Sequence, residues 1–527
     1  MPNTADIDAP VQSSPGRHLS FLRLTIAILA TAGVACGAVL GYQAWLANSA
    51  VASAQGGWFA GYVDVTATPS YAFEAPTARS GKDIVLSFIV SDPDKACSPS
   101  WGGAYSLQEA SAELDLDRRV ARFGQLGGDV VVSFGGQRND ELAKNCTSVP
   151  ALVRAYSSVI DRYKVSTIDL DLEGDSLSDT AAADRRATAI AQVQKEQRKE
   201  GKRLAVWLTL PASPTGLAVD GQDAVRAALA KGVDLAGVNA MTMDYGSSRK
   251  PGQSMLDATT SALTQTQRQL GILYRKAGTT LSDRTLWFKI GATPMIGQND
   301  VKGEIFSLAA AKGLASFITE HKIGRASMWS LNRDRACGSN YVDLKVVSDS
   351  CSGVAQKKAS FATLLSASLK GYSSAAAGVL TTAEPVDAVA LKDDPAKSPY
   401  QIWAENGSYL QGTKVVWHHN VYVAKWWTRS DLPDNPVLNS WETPWTLIGP
   451  VLAGETRIPV PTLPNGTYPD WAGSNTYGKG TRVLFDGVPF EAKWWNHGES
   501  PDAASSNPDG SPWVPLTTVQ IKEIAGG

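Results

Sequence analysis

Between residues 58 and about 355, short apolar runs alternate with longer polar, alanine-rich stretches. The apolar runs are "WFAGYVDV" (58–65), "DIVLSFIV" (83–90), "DVVVSFGG" (129–136) and "TIDLDLEG" (167–174). They continue as "RLAVWLTLPA" (203–212), "LAGVNAMTMDYG" (235–246), "LWFKIGATPM" (286–295) and "RASMWSLNRD" (325–334). Each has the length and side-chain content of a strand. The segments between them, such as "DRRATAIAQVQKEQRKEG" (184–201), are rich in helix formers. Eight strands with helices between them predict an α/β chain closed into a (β/α)8 TIM barrel, and a doubly wound open sheet is the competing arrangement.

The pattern changes at both ends. "LTIAILATAGVACGAVLGY" (24–42) is uncharged, not amphipathic, and about long enough to span a bilayer. Arg17 and Arg23 flank its start, which favours export of everything downstream. Ala52-Ser53-Ala54 fits a small-x-small cleavage site, so residues 1–55 are read as a cytoplasmic tail plus either a cleaved signal peptide or a signal anchor. The expected location is extracellular, secreted or tethered to the membrane through this segment alone. The barrel domain is placed at 56–370, and the small, polar, proline-punctuated stretch 371–397 reads as a linker.

Beyond the linker the chain repeats itself at an offset of 68. Trp403 pairs with Trp471, Tyr409 with Tyr477, Gly412 with Gly480 and Val415 with Val483. "AKWW" at 424–427 pairs with 492–495, and "PW" at 444–445 with 512–513. Two small all-β modules at 398–452 and 464–520 follow, with cores that rest on packed aromatics.

Composition narrows the picture. The 527 residues exceed one ordinary core, and a formal charge of −2 gives no electrostatic case for nucleic acid. There are 16 Trp, most of them after residue 400. The 5 Cys and 5 His show no metal-ligand spacing, so no metal or cofactor is expected. Export permits disulfides, with Cys337–Cys351 closing a short loop and Cys97–Cys146 as a second pair.

Within "STIDLDLEGD" (166–175), Asp169, Asp171 and Glu173 alternate with Ile168, Leu170 and Leu172. On a strand this lines one face with acid and the other with aliphatic groups. Like charges so close resist simultaneous ionisation. In a barrel the last of them, Glu173, falls at the C-terminal rim, where catalytic groups sit.

These residues resemble glycoside hydrolase family 18, the chitinase family, whose fourth strand reads D-x-x-D-x-D-x-E. "SFGG" (133–136) matches its S-x-G-G, "MTMD" (241–244) matches its M-x-Y-D, and Trp329 in "SMWS" fits the Trp that floors the sugar site. The resemblance covers roughly residues 56–355. It implies retaining hydrolysis assisted by the substrate's own N-acetyl group, with Glu173 as acid and base. Asp171 would hold the acetamido N–H, and Asp169 would share a proton with Asp171. Tyr62, Met241 and Asp244 would bind substrate beside Trp329.

Two positions depart from the family pattern. Ser166 stands where an Asp is usual, and Met243 where a Tyr hydroxyl supports the acetamido oxygen. Tyr245, two residues on, is the expected substitute for that hydroxyl. The "AKWW" units resemble chitin-binding modules of families 5 and 12. That implies contacts from Trp426, Trp427, Trp494 and Trp495, then Trp403 and Trp471, with one Trp of each adjacent pair a candidate core residue. Trp445 and Trp513 read as core. The partner expected is chitin or N-acetylglucosamine oligosaccharides, and the protein a monomer. A chitin-binding lectin on an inactive barrel and an endo-acting hydrolase of other N-acetylglucosamine glycans are the alternative readings.

Overall fold

The computed structural model describes residues 56–75, 82–339, 346–373, 391–455, 462–501 and 508–525. The expected membrane-targeting segment and most of the linker lie outside these residues. Among the described residues, no helix is long and apolar enough to cross a membrane.

Eight parallel strands close a barrel: β1 (Trp58–Asp64), β2 (Asp83–Ser91), β3 (Asp129–Gly135), β4 (Thr167–Asp171), β5 (Ala205–Ser213), β6 (Leu235–Met241), β7 (Ile290–Thr293) and β8 (Arg325–Ala326). Each pairs with the next, and β8 pairs back onto β1. The open-sheet alternative is thereby excluded. Several strands are shorter than the apolar runs suggested. β6 ends at Met241, β8 has two residues, and Leu286 to Phe288 belong to a helix, Asp283–Phe288.

The outer helices α1 (Val149–Tyr163), α2 (Thr180–Lys199), α3 (Val219–Ala230), α4 (Met255–Lys276) and α5 (Leu308–His321) follow the polar segments. Ser148, Asp179, Ser254 and Ser307 cap four of them by accepting first-turn N–H groups. On α2, Ala183, Ala187, Ile190 and Gln194 are buried at helical spacing, so one stripe meets the sheet. The main core lies between strands and helices, and a second cluster of Trp58, Tyr62, Val85, Val131 and Trp207 fills the barrel itself. Both expected disulfides, Cys97–Cys146 and Cys337–Cys351, are formed.

The C-terminal part contains two small antiparallel sheet units with the same layout. In the first, Lys414–Trp417, Asn420–Ala424 and Trp445–Pro450 form a three-stranded sheet. In the second the equivalents are Arg482–Phe485, Val488–Ala492 and Trp513–Pro515. Trp445 and Trp513 are buried, and each indole N–H donates at 2.8 Å to a carbonyl at the equivalent position, Asp431 or Glu499. The first unit is docked on the barrel as well as tethered to it. Arg268 of α4 donates to the carbonyls of Val437 (2.7 Å) and Leu438 (2.8 Å), and the Leu438 side chain is buried in the barrel's outer core.

Candidate active site

The acid strand points as period-2 alternation demands. Ile168, Leu170 and Leu172 are buried toward the helices, while Asp169 and Asp171 project into the barrel. Glu173 lies two residues beyond β4, still in extended backbone (φ −135°), and Gly174 then turns the chain into a short helix with φ 48°. This puts the Glu173 side chain, half-buried, at the rim.

The S-x-G-G run has a steric reason. Gly135 adopts φ 106°, and a Cβ there would stand 2.0 Å from the Asp171 carbonyl oxygen. Only glycine lets β3 approach β4 this closely. The same register sets Ser133 opposite Asp169 and Asp171 opposite Thr209 on β5.

Asp169 is fully enclosed, and four donors meet its two oxygens. Oδ1 accepts from Arg325 Nη1 at 2.5 Å and Thr209 Oγ1 at 2.7 Å; Oδ2 accepts from Ser133 Oγ at 2.7 Å and Tyr62 OH at 2.9 Å. The hydrogen bonds of Asp169 thus run to Arg325, Thr209, Ser133 and Tyr62, and none of these reaches Asp171.

Asp171 has the opposite environment. Its Oδ1 is buried and has no hydrogen-bond partner among the described residues. Burial, then the Glu173 and Asp169 carboxylates, push its pKa well above the usual carboxylate range. Glu173 is pushed up to about 7, first by burial and then by Asp244.

The cleft above these groups measures about 320 Å³ and is lined by Tyr62, Phe88, Asp171, Glu173, Met241, Met243, Asp244 and Trp329, among others. Phe88 and Trp329 stack with ring centres 5.5 Å apart and planes 19° from parallel, and the Tyr62 ring lies 6.0 Å from Trp329. Asp244 sits in a left-handed turn (φ 48°) with Oδ1 accepting from Val301 N–H at 3.0 Å. Of the cleft residues picked from sequence, Tyr62, Met241, Asp244 and Trp329 are thus brought together with Asp171 and Glu173.

Tyr245 is not among them. Its side chain is buried away from the cleft, and its hydroxyl reaches Thr259 of α4 at 3.4 Å. The expectation that it replaces the missing hydroxyl is corrected, because β6 ends at Met241 and the turn at Asp244 breaks strand alternation. Met243 itself lines the cleft.

In the small sheet units, all four adjacent tryptophans are exposed: Trp426 45%, Trp427 52%, Trp494 44% and Trp495 66%. The notion that one of each pair is core does not hold. Trp403, in contrast, is buried in the first unit's core, and Trp471 packs half-buried against the second. Arg325, Thr209 and Asn239 were not singled out in the sequence. No short motif marks them, since each lies on a different strand.

The chain matches no known family profile. It is 36% identical over 290 residues to a probable bifunctional chitinase/lysozyme of Escherichia coli strain K12, covering 54% of this chain and 31% of that protein. It is 36% identical over 255 residues to endochitinase 11 of Metarhizium anisopliae, covering 47% of each. This chain is therefore similar to proteins named as chitinases. The aligned regions span less than half the length of either curated relative. Among solved structures, the catalytic domain of a hyperthermophilic chitinase from Pyrococcus furiosus is 27% identical, with 61% of this chain and 92% of that one covered and a TM-score of 0.48.

Proposed function

We propose that this protein is a chitinase that hydrolyses β-1,4 linkages between N-acetylglucosamine units with retention of configuration. The observation that carries the reading is the pairing of a rim glutamic acid, pKa about 7, with a buried Asp171 whose pKa is raised and whose Oδ1 has no partner among the described residues, both in a cleft lined by Trp329.

In this reading, Glu173 protonates the glycosidic oxygen as the bond to the anomeric carbon breaks. The substrate's acetamido oxygen forms a bond to that carbon, which yields an oxazolinium ion. Asp171 orients the acetamido group through the oxygen left open in the free protein. Water then attacks the same carbon, and Glu173 takes its proton. Trp329 and Tyr62 provide apolar faces for the pyranose ring. Trp426, Trp427, Trp494 and Trp495 form exposed strips suited to crystalline chitin, and two such units on one chain raise retention at a surface through avidity. Two disulfides support an exported protein.

The test compares wild type with Glu173→Gln on insoluble chitin. The variant is expected to bind chitin normally and to lose on the order of 10³-fold in release of soluble oligosaccharide. Unchanged hydrolysis by Glu173→Gln would refute the assignment.

A further inference from the structure

Arg325 is buried at the start of β8 and enters the barrel from the side opposite β4. Its guanidinium is engaged at every nitrogen: Nε donates to Ser327 Oγ at 2.9 Å, Nη1 to Asp169 Oδ1 at 2.5 Å and Nη2 to Tyr62 OH at 3.1 Å. The rings of Trp58, Tyr62 and Trp207 surround it, with centres 5.2 to 5.7 Å from the guanidinium carbon. A cation so placed exists because an anion is beside it, and that anion is Asp169.

The hydrogen-bond directions agree. Thr293 Oγ1 donates to Asn239 Oδ1 at 2.8 Å, which aims Asn239 Nδ2 at Thr209 Oγ1, 3.0 Å away. Thr209 Oγ1 is thereby an acceptor from nitrogen, and its single proton goes to Asp169. Tyr62 OH accepts from Arg325 Nη2, and its proton faces Asp169 Oδ2 at 2.9 Å, with Thr209 Oγ1 beside it at 3.0 Å. With Ser133 the count of donors reaches four, the number of lone-pair sites on a carboxylate.

We propose that Arg325 is a positioning residue whose buried cation offsets the Asp169 carboxyl group and so sets the pH at which the Asp171 and Glu173 pair gives up its proton. This inference rests on the chitinase reading for its catalytic meaning, but not for its protonation pattern. The titratable groups around the cluster are Tyr62 on β1, Arg325 on β8, Asp171 at the end of β4, Glu173 two residues beyond it, and Asp244 after β6. Burial opposes the Arg325 charge, and Asp169 with Tyr62 outweighs it, leaving the guanidinium above its ordinary pKa. Tyr62 is raised by burial and then by Asp169, so it stays a neutral donor.

The experiment is a charge-pair cycle read in two ways. Arg325→Met removes a cation, so the alkaline limb of the rate profile on soluble chitin oligomers is expected to move up by about one pH unit. Asp169→Asn leaves the cation uncompensated and is expected to move the limb down. The double variant Arg325→Met/Asp169→Asn is expected to return the limb close to wild type, and Arg325→Lys to hold it there. Infrared counting of protonated carboxyl groups on the same proteins reads the pattern without turnover. Arg325→Met should gain one near neutral pH and Arg325→Lys none. If wild type shows no hydrolysis, the functional reading fails while the infrared count still decides this one. Should Arg325→Met not fold, Arg325→Lys and the double variant carry the decision. A limb that stays still in a folded Arg325→Met protein, a double variant that does not return, or a Lys variant that behaves like Met overturns the proposal.

Discussion

The barrel and the two small sheet units invert one another. The barrel keeps its aliphatic side chains between strands and helices and sets charged groups inside, where Asp169 and Arg325 are both fully enclosed. The small units bury Trp403, Trp445 and Trp513 and leave Trp426, Trp427, Trp494 and Trp495 in solvent. In the barrel, low dielectric turns a few polar groups into a titrating device. In the small units the useful feature is flat apolar area, and it is left outside at the cost of exposed hydrophobic surface. The contrast teaches that a charge belongs inside only where a partner meets it, while the exposed tryptophans carry the proposed chitin contact.

The two kinds of core can be broken separately. Trp445→Ala is expected to cost the first sheet unit about 3–5 kcal/mol, which is near the whole stability of a core that size. Calorimetry should show that unit's transition vanish while the barrel's remains. Loss of both transitions together would mean that docking through Arg268 and Leu438 makes them one cooperative body. The barrel has a covalent support that the small units lack. The Cys97–Cys146 bridge spans 49 residues, so its removal by a double Ser variant is expected to cost about 4 kcal/mol in a denaturant titration of the barrel.

The functional contrast is next in size. Trp494→Ala with Trp495→Ala is expected to weaken adsorption to insoluble chitin by about 10²-fold, as one arm of a two-site grip is lost. Turnover of soluble oligomers should stay unchanged, and a fall in that rate would place these residues in the reaction cleft instead. The smallest effect concerns the rim. In the proposed mechanism Glu173 acts as the acid and must be protonated, so activity is expected to fall as pH rises through about 7. Asp244 adds to that raised value after burial does, and removing an anion lowers a carboxylic acid's pKa. Asp244→Asn is therefore expected to move the alkaline limb toward acid by roughly half a pH unit. Movement in the other direction would show that Asp244 acts through the turn it holds rather than through charge.

Local repetition along the chain determined a good deal. The eight-fold alternation specified the barrel, and period-2 spacing placed Asp169 and Asp171 on one face because successive strand residues point to opposite sides. The offset of 68 specified twin sheet units with equivalent buried tryptophans. Strand logic failed where the strand ended. Tyr245 follows a left-handed turn and faces α4, and the paired tryptophans lie past the ends of their strands, so neither obeys alternation.

Only closure of the barrel decided the partner of the acid strand. Arg325 is 156 residues from Asp169 and belongs to a strand of two residues. Nothing in its neighbourhood along the chain distinguishes it from a surface arginine. It becomes the counter-ion because a closed ring of strands forces side chains from opposite walls into one dry interior, where an unpaired charge is too costly to keep.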